Sequence, residues 1–164
     1  MYNLVVYGSL LNTKELAKHN IGLNQIQTIK VKGYKRVFNQ LPSWRKVDGI
    51  RKAVMNVFED ENSWLNAIVI KNLTSEYIRD LDEREIGYDR VSITDGNVVT
   101  YSNIILKNCI IYKGKVGKQS NNILPNPKYF KICKDGAKEH GEEFFQDYLL
   151  TTFINDLNGG IKRI

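Results

Sequence analysis

The chain has 164 residues, which is enough for one domain with a buried core. Its 42% hydrophobic and 26% charged residues are typical of a globular protein, and no apolar run reaches the roughly 18 residues of a membrane span. The net charge of +6, from 24 basic and 18 acidic residues, favours anionic ligands. Two cysteines and two histidines, without metal-ligand spacing, argue against a disulfide framework and against a zinc site.

The N-terminal residues predict a strand rather than a targeting segment. No basic residue precedes the first apolar stretch, so we expect no signal peptide and a cytoplasmic location. Cys109 and Cys133 both lie among apolar neighbours, and we expect them to be buried, unreactive thiols. The sequence therefore predicts one domain over residues 1–164, with no metal site.

The first half of the chain predicts strands around one short helix. Asn3–Tyr7 is predicted to be a buried strand, and Thr13–Lys18 a helix capped by Asn12 or Thr13. A high content of β-branched and aromatic residues predicts three more strands: Ile29–Phe38, Lys52–Phe58 and Trp64–Ile70. The last two are predicted to form a hairpin through a turn at Glu59–Ser63.

The second half predicts further strands and then closing helices. Thr74 or Ser75 is expected to cap a short helix, and Asp95-Gly96 predicts the tight turn of a hairpin. The remaining predicted elements are the two hairpin strands, one further strand and two helices: Tyr88–Ile93, Val98–Thr100, Ile104–Tyr112, a helix that begins at Pro125-Asn126-Pro127, and Glu142–Asn155. Because strands dominate the middle and helices the end, the predicted class is α+β, with a mixed, barrel-like sheet.

The densest basic segment runs from Lys30 to Arg51 and interleaves basic side chains with Tyr34, Phe38 and Trp44. Two interpretations of it stay open: a nucleic-acid surface, or a solvated face of strands and their connecting loop. A basic surface also attracts small carboxylate ligands without contacting nucleic acid. We expect no nucleic-acid or membrane partner, and the sequence does not predict the oligomeric state.

Glu85 is the first candidate for chemistry. It lies four residues beyond Leu81, so it continues the apolar stripe of Tyr77, Ile78 and Leu81 if the helix runs on by one turn. A carboxylate on an apolar face is desolvated, which raises its pKa and suits it to act as a general base or acid near neutral pH. The alternative is a glutamate at the helix end that pairs with a nearby arginine.

The loop Tyr7-Gly8-Ser9 is the second candidate, because it follows a strand directly and precedes a helix. Glycine lets a ligand approach the backbone closely. Successive backbone N–H groups in such a turn can form a concave cradle for an anion. The alternative is a simple connection between a strand and a helix, with no ligand.

Taken together, Tyr7-Gly8-Ser9-Leu10 and Leu81-Asp82-Glu83-Arg84-Glu85 resemble the two hallmark motifs of the gamma-glutamylcyclotransferase family. Further segments agree with the family in order and spacing: Gly33-Tyr34-Lys35-Arg36-Val37-Phe38-Asn39, Gly87-Tyr88-Asp89-Arg90-Val91, Pro125-Asn126-Pro127-Lys128-Tyr129 and Gly136-Ala137-Lys138-Glu139-His140-Gly141. The resemblance covers most of the chain from its start to about Leu150.

The resemblance implies a small mixed β-barrel with flanking helices and a cavity at the Tyr7-Gly8-Ser9-Leu10 loop. It also implies a cofactor-free enzyme that cleaves the γ-glutamyl amide of a small γ-glutamyl compound and releases 5-oxoproline with a free amine or amino acid. Glu85 matches the family's general acid/base. The loop residues Tyr7, Gly8, Ser9 and Leu10 match its substrate-binding segment. Tyr112 resembles a tyrosine that contacts substrate, although core packing explains that residue equally well.

Two positions depart from the family pattern. Leu10 stands where several branches carry Asn, and Ile86-Gly87-Tyr88 has a single glycine where the glutathione-cleaving branch shows a pair. The leaving group therefore stays open between glutathione, a γ-glutamyl amino acid, a γ-glutamylamine and another metabolite. A non-catalytic module that binds a small ligand or a partner on the same fold is the alternative function.

Overall fold

The computed structural model describes all residues from 1 to 164 and consists of one nine-stranded sheet with four helices. The nine strands are β1 to β9 in chain order: Tyr2–Val6, Ile26–Gln40, Arg51–Leu73, Tyr88–Ser92, Val98–Thr100, Cys109–Gly114, Leu124–Pro125, Thr152–Asn155 and Ile161–Arg163. The helices are α1 to α4: Thr13–Ala17, Ser75–Arg84, Pro127–Lys138 and Glu142–Leu150.

Local capping chemistry explains where three of the helices begin. The side chain of Asn12 accepts a hydrogen bond from the backbone of α1, Thr74 does the same for α2, and Asn126 does so for α3. Each cap satisfies a backbone N–H that has no partner inside its helix. Pro127 occupies the first turn of α3, where its missing N–H costs nothing.

The predicted α+β class is confirmed, but the predicted barrel is wrong because the sheet is open. The strand order is β4-β6-β1-β3-β2-β8-β9, and the terminal strands β4 and β9 do not pair with each other. The outer edge of β2 is shared by two strands, β5 near Val31 and β8 near Val37. The sheet is mixed, as expected, since β6 and β8 run parallel to their neighbours β1 and β2.

The predicted hairpin between Lys52 and Ile70 is also wrong. β3 is one continuous strand of 23 residues that pairs antiparallel with β2 along its length. Residues 60–63 form a bulge, because Lys32 pairs with Trp64 and Tyr34 pairs with Glu59. The polar residues that predicted a turn therefore form the bulge instead, in which Asp60 accepts hydrogen bonds from Asn62 and Ser63.

Two later predictions fail because tertiary pairing decides the outcome. The turn around Asp95-Gly96 forms, but β4 pairs with β6 and β5 pairs with β2, so the two flanking strands make no hairpin. The predicted last helix ends at Leu150, and β8 follows from Thr152. β8 is a parallel partner of β2, and this pairing overrides the helical pattern.

Thirty-five buried residues form a single hydrophobic core between the sheet and the helices. Cys109 and Cys133 belong to it and are free, as expected, and burial raises the pKa of the Cys133 thiol to about 12. None of the helices is long and apolar enough to cross a membrane.

Helix α3 packs directly on the segment that follows β1. Gly136 sits so close to that segment that a Cβ atom there would lie 2.4 Å from the backbone nitrogen of Asn12. The ring Nε2 of His140, just beyond α3, lies 2.7 Å from the carbonyl oxygen of Leu11. The close approach therefore requires glycine at position 136. Together with the His140 contact, it fixes the segment that follows β1 against α3.

We expect Gly136→Ala to destabilise the protein by about 1–3 kcal/mol, the usual cost of overpacking a tight contact. The clash is with backbone atoms, which cannot rotate away as a side chain does. Gly117→Ala is the matched control, because no atom lies within 4 Å of a Cβ at that position. Urea unfolding of both variants measures the difference, and equal stabilities would contradict the packing described.

Candidate functional site

The topology brings two distant segments to the same edge of the sheet. β1 and β6 are parallel neighbours, with Val5 opposite Ile111, so the end of β1 lies beside the end of β6. β4 runs antiparallel to β6, and its first residue Tyr88 pairs with Gly114. Since Glu85 lies three residues before Tyr88, the end of α2 comes to the loop that follows β1.

A cavity of about 120 Å³ lies at this edge. It is lined by the predicted acid, by the predicted loop, by three further tyrosines and by apolar side chains: Glu85, Tyr7, Gly8, Ser9, Leu10, Tyr88, Tyr112, Tyr129, Leu4, Val5, Val6, Met55 and Leu81. All six residues that the sequence analysis proposed for the site therefore line one cavity. Their roles in binding and catalysis stay predictions.

Glu85 caps the C-terminus of α2 instead of continuing the helix. Its backbone N–H donates to the carbonyl oxygen of Leu81, and its ψ of 53° ends the helical geometry. The side chain is partly buried at the cavity, and burial raises its pKa, while the nearby Arg84 charge acts in the opposite direction. The carboxylate makes no hydrogen bond or ion pair within the protein, so it is free to meet a ligand.

The loop after β1 is a 3-10 turn over Ser9–Leu11 that begins at Gly8. A Cβ atom at Gly8 would lie 2.7 Å from the hydroxyl of Tyr129 and 3.2 Å from Cβ of Met55. Only glycine fits at this contact. The loop thus packs between α3 and β3, and Gly8, Ser9 and Leu10 line the cavity that Glu85 also lines.

Three tyrosine hydroxyls tie the cavity wall together. The Tyr7 hydroxyl donates to the carbonyl oxygen of Tyr112 at 2.5 Å, and the Tyr88 hydroxyl donates to that of Met55 at 2.8 Å. The Tyr112 hydroxyl donates to Asp82 at 2.7 Å. Burial raises the pKa of each tyrosine, so all three stay protonated near neutral pH.

Comparison with known proteins points to one fold. No protein-family model and no curated protein matches the chain. Among solved structures, one named gamma-glutamyl cyclotransferase superposes with a TM-score of 0.67 at 20% identity, covering 98% of this chain and 93% of its own. The uncharacterized protein loc79017 from Homo sapiens gives 0.68 at 20% identity, covering 90% and 85%. YkqA from Bacillus subtilis gives 0.67 at 18% identity, covering 88% of this chain and 51% of its own.

The chain has the gamma-glutamyl cyclotransferase-like fold. The fold that the sequence resemblance implied is thereby confirmed, apart from the closed barrel. At these identities the comparison establishes the architecture and leaves activity and substrate as proposals.

The sequence analysis missed Arg36, a buried residue of β2 that binds the first residue of the site loop in this cyclotransferase-like fold. Its side chain is fully buried, and each of its five N–H groups has an acceptor. The Nη1 atom donates to the carbonyl oxygens of Tyr7 and Asn66, Nη2 to the side chains of Asn66 and Thr151, and Nε to Thr152. The solvated-face interpretation of the basic segment is therefore wrong at this position.

No carboxylate compensates the Arg36 charge, since none of the ion pairs includes it. Burial lowers its pKa to about 10, and its guanidinium lies 4.6 Å from the ring centre of Tyr148. A positive charge below the loop polarises the peptide that joins Tyr7 to Gly8. The only sequence signal was that Tyr34 and Phe38 lie two residues to either side of Arg36 in a predicted strand, and so share its face.

We expect Glu85→Gln to gain stability relative to the native chain as the pH rises. Because burial raises the folded-state pKa of Glu85, its contribution to folding is full below about pH 4, the ordinary range of a glutamate, and is lost as the pH rises through the folded pKa. Urea unfolding at pH 4 and pH 7 measures the change.

Glu83→Gln is the matched control, because Glu83 is exposed at the same end of α2. Its stability relative to the native chain should vary less between the two pH values. If Glu85→Gln is no more favoured at pH 7 than at pH 4, the carboxylate is not desolvated as described.

Proposed function

We propose that the protein is a cofactor-free cyclotransferase that cleaves small γ-glutamyl amides. One observation carries the proposal: Glu85, a partly buried carboxylate with no partner in the protein, lines the same cavity as the loop residues Tyr7–Leu10. The fold shared with the solved gamma-glutamyl cyclotransferase supports it. The cytoplasmic location stays a prediction of the sequence.

The reaction starts with the α-ammonium group of the γ-glutamyl substrate. The Glu85 carboxylate takes one proton, and the freed amine attacks the γ-carbonyl carbon of the same molecule, so that a five-membered ring forms. The tetrahedral intermediate then expels the amide nitrogen. Of the three ammonium protons, one stays on the ring nitrogen and two end on the leaving nitrogen, one of them returned by Glu85.

Ring closure asks little of the protein beyond positioning. Well-oriented intramolecular reactions reach effective molarities of about 10⁵–10⁸ M. The confined cavity restricts the substrate to folded conformers in which the amine approaches the carbonyl. A single base adds a factor of about 10²–10⁴, so one carboxylate with a backbone cradle is sufficient catalytic machinery.

The loop supplies the electrostatic part of the proposal. Backbone N–H groups of Gly8, Ser9 and Leu10 are the candidates to bind the substrate carboxylate or the developing oxyanion. The Arg36 charge at the Tyr7 carbonyl strengthens the Gly8 N–H donor, because both groups belong to the same peptide. Leu10 supplies an apolar wall to the same cavity and leaves the backbone donors available, since they do not depend on the side chain.

We expect the native protein to release 5-oxoproline from at least one γ-glutamyl amide, and Glu85→Gln to lower kcat by about 100-fold or more. A panel of γ-glutamyl amino acids, glutathione and γ-glutamylamines, assayed for 5-oxoproline, tests this. Glu83→Gln is the matched control and should retain activity, because its side chain lines no part of the cavity.

The competing function is a binding module without turnover. It predicts that no compound of the panel yields 5-oxoproline while γ-glutamyl ligands still raise the melting temperature. Activity that survives intact in Glu85→Gln would contradict the proposed role of this residue, whatever the substrate.

A further inference from the structure

A second cavity of about 180 Å³ adjoins the first, under the segment that connects β2 to β3. The two cavities share Ser9, Glu85, Tyr88 and Tyr129 in their walls. Glu85 therefore stands at their boundary. If the scissile amide of a substrate lies at Glu85, the γ-glutamyl half has room in the first cavity and the leaving group has room in the second, because the two cavities meet at this residue.

Two arginines, Arg45 and Arg84, line the second cavity. The Arg45 guanidinium lies 5.3 Å from the ring centre of Tyr129 in the shared wall, and neither arginine takes part in an ion pair. The Trp44 indole donates to the carbonyl oxygen of Arg84 at 2.9 Å. This bond ties the connecting segment, with Arg45, to the end of α2.

We propose that the second cavity binds the leaving group and that Arg45 and Arg84 select leaving amines that carry a carboxylate. The leaving group is then an α-amino acid or a short peptide rather than an uncharged alkylamine. This inference rests on the proposed function. Guanidinium groups bind carboxylates through paired, charge-assisted hydrogen bonds. Neither arginine has a carboxylate partner in the protein, and Nη1 of Arg84, which lies 3.1 Å from Nδ1 of His19, leaves the other N–H groups of that guanidinium for a ligand.

The size and the remaining walls agree with this class of ligand. The volume is below the roughly 300–1,000 Å³ of pockets for drug-sized ligands, so it suits a single amino acid or a dipeptide. Ser9 and Ser43 add hydroxyls to the wall, and Glu85 is the only acidic residue in it. A leaving group that carries a carboxylate thus meets two cations, and its amine end meets the one acid.

The test compares γ-glutamyl-L-alanine with γ-glutamyl-L-alaninamide, which has nearly the same shape and lacks the second carboxylate. We expect kcat/KM to favour the carboxylate by about tenfold or more, because hydrogen bonds between two charged groups are stronger than those to a neutral amide. Added sodium chloride should reduce the preference, because screening weakens attraction between exposed charges.

Arg45→Gln and Arg84→Gln should each reduce this preference at least threefold. The ratio of the two substrates within one variant is the diagnostic quantity, because any effect of Arg84 on Glu85 acts on both substrates and cancels. Arg79→Gln is the matched control: Arg79 is an exposed arginine of α2 that lines neither cavity, and its loss should leave the ratio unchanged.

Calorimetric binding of both compounds to Glu85→Gln separates this inference from the proposed activity. A carboxylate preference in binding that Arg45→Gln removes upholds the arginine subsite, even if the native protein releases no 5-oxoproline. Equal binding and equal turnover of the two compounds would overturn it. So would a preference that Arg45→Gln and Arg84→Gln both leave unchanged.

Discussion

Burying a guanidinium costs several kcal/mol unless every one of its donors finds an acceptor, and the fold is organised around that requirement at Arg36. Its five acceptors come from the end of β1, from β3 and from the junction between α4 and β8. These elements are far apart in sequence. Their assembly around one side chain places the loop that follows Tyr7, and the site depends on that loop.

The same arrangement supplies the proposed site with a positive charge at its loop in addition to the single acid. Arg36 presents a positive charge to the loop from inside the core, where the low dielectric weakens screening. Glu85, a partly buried acid at the end of α2, lines the same cavity as the loop. The loop thus contacts a buried cation through the Tyr7 carbonyl and shares a cavity with an acid, and the substrate is proposed to bind between the loop and the acid.

Local signals predicted the parts of the fold that local chemistry decides. Caps at Asn12, Thr74 and Asn126 predicted three helices, and the spacing of Ile78 and Leu81 predicted the buried face of α2. Glu85 reaches the cavity as the residue that ends α2, and not as a continuation of that face. Long-range pairing could not be predicted in this way. The bulge at residues 60–63 and the turn at Asp95-Gly96 carry the same polar residues as hairpin turns, and only the partner strand distinguishes the outcomes.

The site shows the same division. Its loop and acid were recognisable as motifs, while Arg36, Tyr129 and the arginines of the second cavity act through contacts that sequence separation hides. Buried arginines are rare, so a basic residue in a strand predicts a solvated face by default. Tyr34 and Phe38, which lie two residues to either side of Arg36 and therefore on the same face of the strand, were the single hint to the contrary.

The central claim is that the substrate binds between Glu85 and the Tyr7–Leu10 backbone. A crystal structure of Glu85→Gln with γ-glutamyl-L-alanine bound tests it most directly. We expect the α-nitrogen within hydrogen-bond distance of the side chain at position 85, and a substrate oxygen on the loop N–H groups. A ligand bound away from both, with this cavity empty, would contradict the account.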